Sequence, residues 1–143
     1  MQPVVRPFIA QPQDSTCFVI AVYNCLVYLD LPLFNLNEGV QIAKADSGPA
    51  TNRDGFIEWS KAPLRQALNY HEVLRYGGIL MIMHPIFNGH AVFIFPQNDE
   101  FVIVNSWLGP NISYLGLREI EDYIADRMLL NIGENWVIDR IVK

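Results

Sequence analysis

The sequence is poor in cross-linking and metal-binding residues. Two cysteines, Cys17 and Cys25, stand eight positions apart in 143 residues, on a segment that reads as one helix. At 1.5 Å of rise per residue they are separated by about 12 Å, too far for a disulfide, so reduced thiols are expected. Neither Cys-x-x-Cys nor His-x-x-x-His spacing occurs among the two cysteines and three histidines. This argues against a zinc site, and we expect neither metal nor cofactor. Positive charge is scarce too: ten Lys and Arg against fifteen Asp and Glu give a formal charge of -5. The cations stand singly, with no stripe to neutralise phosphates, which leaves nucleic-acid binding without support. No apolar run reaches the length of a membrane span, and the opening MQPVVRPFIAQPQ is interrupted by three prolines. We therefore expect no membrane insertion and a cytoplasmic location. Repeats, linkers and low-complexity tracts are absent as well.

What is present is material for a core. Half of the chain is apolar (51%) and 17% is charged, which suits one globular domain over residues 1–143. From Thr16 to Leu29 apolar residues are too dense for a surface helix, so a central helix is expected there, covered on most sides. Asp14, Ser15 and Thr16 are all N-cap types, and Pro32 discourages continuation past Asp30. Leu36 to Ala45 suits a second helix. Ser47-Gly48-Pro49 and the following Thr-Asn-Arg-Asp-Gly read as irregular loop. Pro63 to Asn69 suits a further helix, and Tyr70 to Gly78 is ambiguous. The second half then changes character. Ile79–His84, His90–Phe95 and Phe101–Asn105 are short Ile/Val/Phe-rich runs separated by turn formers, an antiparallel meander. Leu117 to Asn131 has helical spacing, and Trp136 to Val142 suits a closing strand. Helices first and strands later imply an α+β domain, with the helix of Cys17 packed on the sheet.

The chemistry rests on residues that are weak singly. A histidine opening a strand, as His90 does in "NGHAVFIF", is usually structural, and an Asn at a strand end, as Asn105 in "FVIVNSWLG", is usually a turn former. Together they gain weight, because a short turn joins their strands and antiparallel pairing brings His90 and Asn105 to one end of the sheet. Cys17 falls in the first turn of its helix, where unpaired amides and a nearby imidazolium both favour the thiolate. Cys25, mid-helix among apolar residues, reads as core. His71 reads as surface, Trp59 and Trp136 as packing residues, and His84 as a candidate for a supporting role.

Gln11, Cys17 at a helix start, His90 in Gly-His-apolar and Asn105 in Asn-Ser-Trp occur in the order that resembles the papain-like cysteine peptidase superfamily. The likeness spans Gln11 to about Gly109. It implies a papain-like fold and a Cys17–His90–Asn105 triad, with Gln11 donating to the oxyanion and Trp107 shielding the Asn105–His90 hydrogen bond. Asp14-Ser15-Thr16-Cys17-Phe18 stands in place of papain's Cys-Gly-Ser-Cys-Trp, and the interval from Cys17 to His90 is far shorter than in papain. That compactness looks like the C39-type peptidases, which clip leader peptides. The expected partner is a peptide or protein substrate, with oligomeric state unknown and Asp46–Gly55 and Asn88-Gly89 as cleft walls. Three alternatives stay open: a deamidase, transglutaminase or acyltransferase on the same fold, an inactive binding module, and a purely structural domain.

Overall fold

Residues 17–45, 53–67, 69–82, 90–105, 111–129 and 138–142 are described by a computed structural model. The helices are α1 (Cys17–Leu29), α2 (Leu36–Ala45), α3 (Arg53–Ser60), α4 (Tyr70–Tyr76) and α5 (Leu117–Leu129). The strands are β1 (Leu64–Gln66), β2 (Gly78–Ile82), β3 (His90–Gln97), β4 (Glu100–Asn105), β5 (Asn111–Leu115) and β6 (Ile138–Ile141). They form one six-stranded antiparallel sheet in the order β1-β6-β2-β3-β4-β5, so the protein is α+β. Among the described residues no helix is long and apolar enough to cross a membrane.

Two apolar layers explain why β3 reads "AVFIF" without alternation, since a strand covered on both faces needs apolar side chains on both. Ala91, Phe93 and Phe95 face α1 and α3, where Val22, Cys25, Leu26 and Phe56 close the larger core. Val92 and Ile94 face the other way, against Val73 and Leu74 of α4 and Ile120 and Ile124 of α5. The sequence pointed to a helix on one face. The structure covers both, because α4 and α5 each bring an apolar stripe.

Helix α1 is buried at Val19, Ile20, Ala21, Val22, Asn24, Cys25, Leu26 and Val27. It stops by a local device. The Leu31 amide donates to the Leu26 carbonyl (3.0 Å) and the Asp30 amide to the Val27 carbonyl (3.2 Å), while Asp30 takes a left-handed φ of 57°. This is the double hydrogen-bond cap that glycine usually closes, here closed by an aspartate. The next helix is capped by Asn35, whose Oδ1 accepts from the Glu38 amide at 3.0 Å and whose carbonyl accepts from the Gly39 amide at 2.9 Å, satisfying donors the first turn leaves free.

Three expectations are corrected. Arg53-Asp54-Gly55, read as loop, begins α3. Its Phe56 and Trp59 rings pack against each other and against Phe34, and this burial outweighs the local preference of Asp54 and Gly55 for a turn. Pro63–Asn69, read as helix, holds β1 instead: Leu64 pairs with Ile141, and the Val142 amide donates to the Pro63 carbonyl at 2.7 Å. A partner so distant in the sequence leaves no local signal there, and it overrides helix propensity. Strand β5, which the sequence reading left unassigned, pairs with β4 from Asn105↔Asn111 to Phe101↔Leu115. The ambiguous Tyr70–Gly78 segment resolves into α4, N-capped by Asn69, followed at once by β2.

That abrupt change needs Gly77 and Gly78. Gly77 has φ +86°, where a side chain is strained, and a Cβ on Gly78 would overlap the Asp139 carbonyl oxygen and lie 2.9 Å from the Arg140 Cα. So close an approach seats β6 beside β2. The buried Arg140 then lies over the Tyr76 ring (3.9 Å), with Glu72 at 3.5 Å, tying β6 to α4.

Replacing Asp30 by glycine should raise unfolding stability by about 0.5–1 kcal/mol, because the left-handed position no longer strains a side chain. Gly78→Ala should cost at least the ~1–3 kcal/mol typical of overpacking, since the obstructing atoms are backbone. Urea unfolding midpoints of the two variants check both; an Asp30→Gly protein no more stable than its parent contradicts the first, and an unperturbed Gly78→Ala protein the second.

Candidate active site

The site is set by how α1 lies on the sheet. At its far end Tyr28 stacks on Phe95 (centroids 4.2 Å apart, 28° between planes) and meets Phe93 edge-on at 5.6 Å. At its near end half-buried Cys17 packs against the core cluster that includes Ala91, whose backbone amide acts to lower the thiol's pKa. From Cys17 to Tyr28 the helix rises roughly 16 Å, and from Ala91 to Phe95 the strand spans roughly 13 Å. The two elements therefore run side by side in one direction. The first turn of α1 sits at the opening of β3.

His90 is the first residue of β3 and pairs with Ile82 of β2. Asn105 closes β4. Pairing of β3 with β4 runs from Gln97↔Glu100 to Phe93↔Val104; continued by one position, it sets Asn105 beside Val92, two residues from His90. The structure thus brings Cys17 and the positions of His90 and Asn105 to one end of the sheet. Alternation adds a constraint. Val102 and Val104 face α1 whereas Ile103 and Phe101 face α5, so half-buried Asn105 belongs to the α5 side while the Cys17 sulfur lies on the α1 side. A group joining the two must reach round the end of the sheet, and position 90 is where β3 begins.

Gln11, His84 and Trp107 lie outside the described residues, as do residues 46–52 of the expected cleft wall, Asn88-Gly89, and the cap candidates Asp14, Ser15 and Thr16. Gly55 stands exposed on α3. That helix reaches the site through Phe56, whose ring is 6.0 Å from that of Phe18, the neighbour of Cys17. His71 is exposed and Trp59 is half-buried in the aromatic cluster, as their sequence contexts indicated. Both cysteines are free. Among the described residues no group of three His, Cys, Asp or Glu side chains gathers as ligands around a metal would.

The electrostatics of Cys17 depart from the expectation. Burial pushes its thiol above the ordinary value, and the amides of Ala91, Phe18 and Cys17 itself pull the other way without overcoming it. The first-turn amides act as helix-end electrostatics requires, but desolvation of the charged sulfur is the larger effect. Cys17 accordingly rests as a thiol, and its use as a nucleophile needs a base. The Ala91 amide is the site group that sequence reasoning missed, and a backbone donor has no residue-type signature to find. No family model matches the chain, and no curated protein or solved structure matches it.

Cys25 is wholly buried, and burial alone pushes its thiol up to about 12 from 9.0. Its folded-state value lies above the unfolded one, so its stabilising contribution is complete below about pH 9 and is lost as pH rises toward 12. Over that window the unfolded chain has released a proton that the folded chain retains. The stability gap between the parent and Cys25→Ala should close by about 1.4 kcal/mol per pH unit above pH 9. Urea unfolding of both proteins at pH 8, 10 and 11 reads this directly; a gap independent of pH would contradict it.

Proposed function

We propose that the protein is a papain-like cysteine peptidase that hydrolyses peptide or amide bonds, with Cys17 as nucleophile, His90 as acid and base, and Asn105 orienting the imidazole. One observation carries this reading: half-buried Cys17, in the first turn of α1, packs against the core cluster that includes Ala91, the residue following His90 at the opening of β3. Four positions, Gln11, Cys17, His90 and Asn105, in the superfamily's order support it from the sequence.

Because Cys17 rests protonated, the reaction begins with general-base activation. His90 takes the thiol proton as the sulfur attacks the carbonyl carbon, and the C=O electron pair moves onto oxygen. The Gln11 side-chain amide and the Cys17 backbone N–H donate to this oxyanion. The C–N bond then breaks as His90 returns the proton to the leaving nitrogen, leaving a thioester on Cys17. Water, deprotonated by His90, attacks that thioester, and the collapsing intermediate releases the acid and restores the thiol. In this reading the Asn105 side-chain oxygen accepts from the other ring N–H and orients the imidazole. Trp107 covers that hydrogen bond. Compactness favours a leader-clipping activity of the C39 type, acting on a peptide or protein in the cytoplasm.

The burial that raises the Cys17 thiol favours a second reading, a binding module that keeps the fold without turnover. Alkylation of Cys17 by a thiol-reactive epoxide, abolished in His90→Ala, would sink that alternative.

Incubation with a diverse peptide library followed by mass spectrometry tests the main reading. The parent should cut backbone bonds and Cys17→Ala should not, while Gln11→Ala should lower kcat by about 10²–10³-fold, the effect of losing one oxyanion donor. Equal cleavage by the parent and Cys17→Ala would refute the nucleophile assignment. Products one dalton heavier with an intact backbone would make the enzyme a deamidase instead.

A further inference from the structure

We propose that β5 is the docking edge for the substrate, on which an extended stretch of the polypeptide lying N-terminal to the cut bond pairs as an added strand. The inference rests on the peptidase reading and names what that site would receive. It begins with a difference between the two edges of the described sheet, β1 and β5. Strand β1 is three residues long, follows Pro63 directly and carries exposed Arg65. Brevity, a proline and a cation are devices that keep an edge from taking on another strand. Strand β5, Asn111–Leu115, has neither proline nor charge, and its register against β4 runs from Asn105↔Asn111 to Phe101↔Leu115 without a bulge. A strand paired on one side presents its alternate amides and carbonyls on the other, a ready template for an extended chain.

Direction and position tie this edge to the candidate site. Asn111, the first residue of β5, stands opposite Asn105, so β5 starts at the end of the sheet where His90 opens β3 and Asn105 closes β4. Every ladder in the described sheet is antiparallel, and a chain added in the same sense runs antiparallel to β5, toward that end. The residues that follow the paired stretch therefore arrive at the site. From the added strand to β3 is three strand spacings, roughly 14 Å, which an extended chain covers in about four residues, and this sets the distance from the paired stretch to the cut bond. The neighbours define its chemistry. Ile112 and Tyr114 pack on the α1 side, the side of Cys17, and Leu115 on the α5 side. Apolar residues at alternate positions of the added chain, beside Ile112 and Tyr114, suit this edge, and no charge on β5 calls for a charged one.

For the test, full-length Cys17→Ala is screened by affinity capture against a randomised peptide library, and the tightest captured peptide is the probe. Hydrogen exchange with and without it is the first readout. Amides within Ile112–Leu115 should exchange at least about tenfold more slowly in the complex, and those of Leu64–Gln66 at the other edge should not change. The second readout uses the same peptide with one backbone N-methyl group at successive positions. Affinity should fall about tenfold at alternate positions, the worth of one net hydrogen bond, in a stretch ending about four residues before the bond that the parent cuts. Absence of protection at β5, protection at β1 instead, or N-methyl sensitivity confined to residues after the cut would overturn the proposal. Protection of β5 in the free protein that grows with its concentration would assign the edge to a second copy and overturn it too. The two readings fail separately. A parent that cuts the peptide without protection of β5 keeps the hydrolase and loses the edge, whereas a captured peptide that protects β5 but is never cut keeps the edge as a docking strand and loses the hydrolase.

Discussion

The lengthwise contact between α1 and β3 governs everything else. A helix buried on nearly every side can lie on a doubly covered strand in few ways. Here the aromatic stack of Tyr28 on Phe95 at one end and the packing of Cys17 on the cluster that includes Ala91 at the other set both its direction and its axial position. A helix shifted by one turn, about 5.4 Å, would carry the sulfur off the strand opening altogether. The apolar packing that stabilises the fold therefore also sets the reach of the thiol. The site's geometry is a consequence of the core.

Two opposed effects meet at that sulfur. The packing that positions it also removes it from water, and loss of hydration penalises the anion more than three backbone amides favour it. A protonated resting thiol is the outcome. Reactivity must then be supplied at the moment of attack by a proton acceptor, and the sheet end offers position 90 for it. Cys25, eight residues along the same helix, meets only the first of these effects, and its thiol is pushed much higher. The two cysteines differ in depth of burial, Cys25 being the deeper, and in the backbone donors that Cys17 alone has.

Legibility in the sequence followed the range of the interactions. Helices α1, α2 and α5 could be read, because caps such as Asn35 and apolar spacing are local. The β2–β3–β4 meander could be read because its turns are short. Helix α3 could not, since Asp54 and Gly55 argue locally for a turn and only the rings of Phe18 and Phe34 reward the helix. Strand β1 was hidden for the same reason, its partner β6 being far along the chain. Of the candidate site, the placing of positions 90 and 105 at neighbouring strand ends was legible from strand order. The opposite facing of Cys17 and Asn105 needed the register, and the raised Cys17 thiol needed its burial.

The position of β6 carries a consequence for how the molecule is made. Between β1 and β2 lies a gap one strand wide, filled by a segment synthesised some fifty residues after β2. A growing polypeptide on the ribosome can zip β2, β3, β4 and β5 together as a running hairpin series. The leading strand must meanwhile wait unpaired, its backbone groups hydrated, until the far segment arrives and slides in beside Gly78. Such long-range closure is entropically slow, and it makes insertion of β6 the natural late event in the maturation of this sheet.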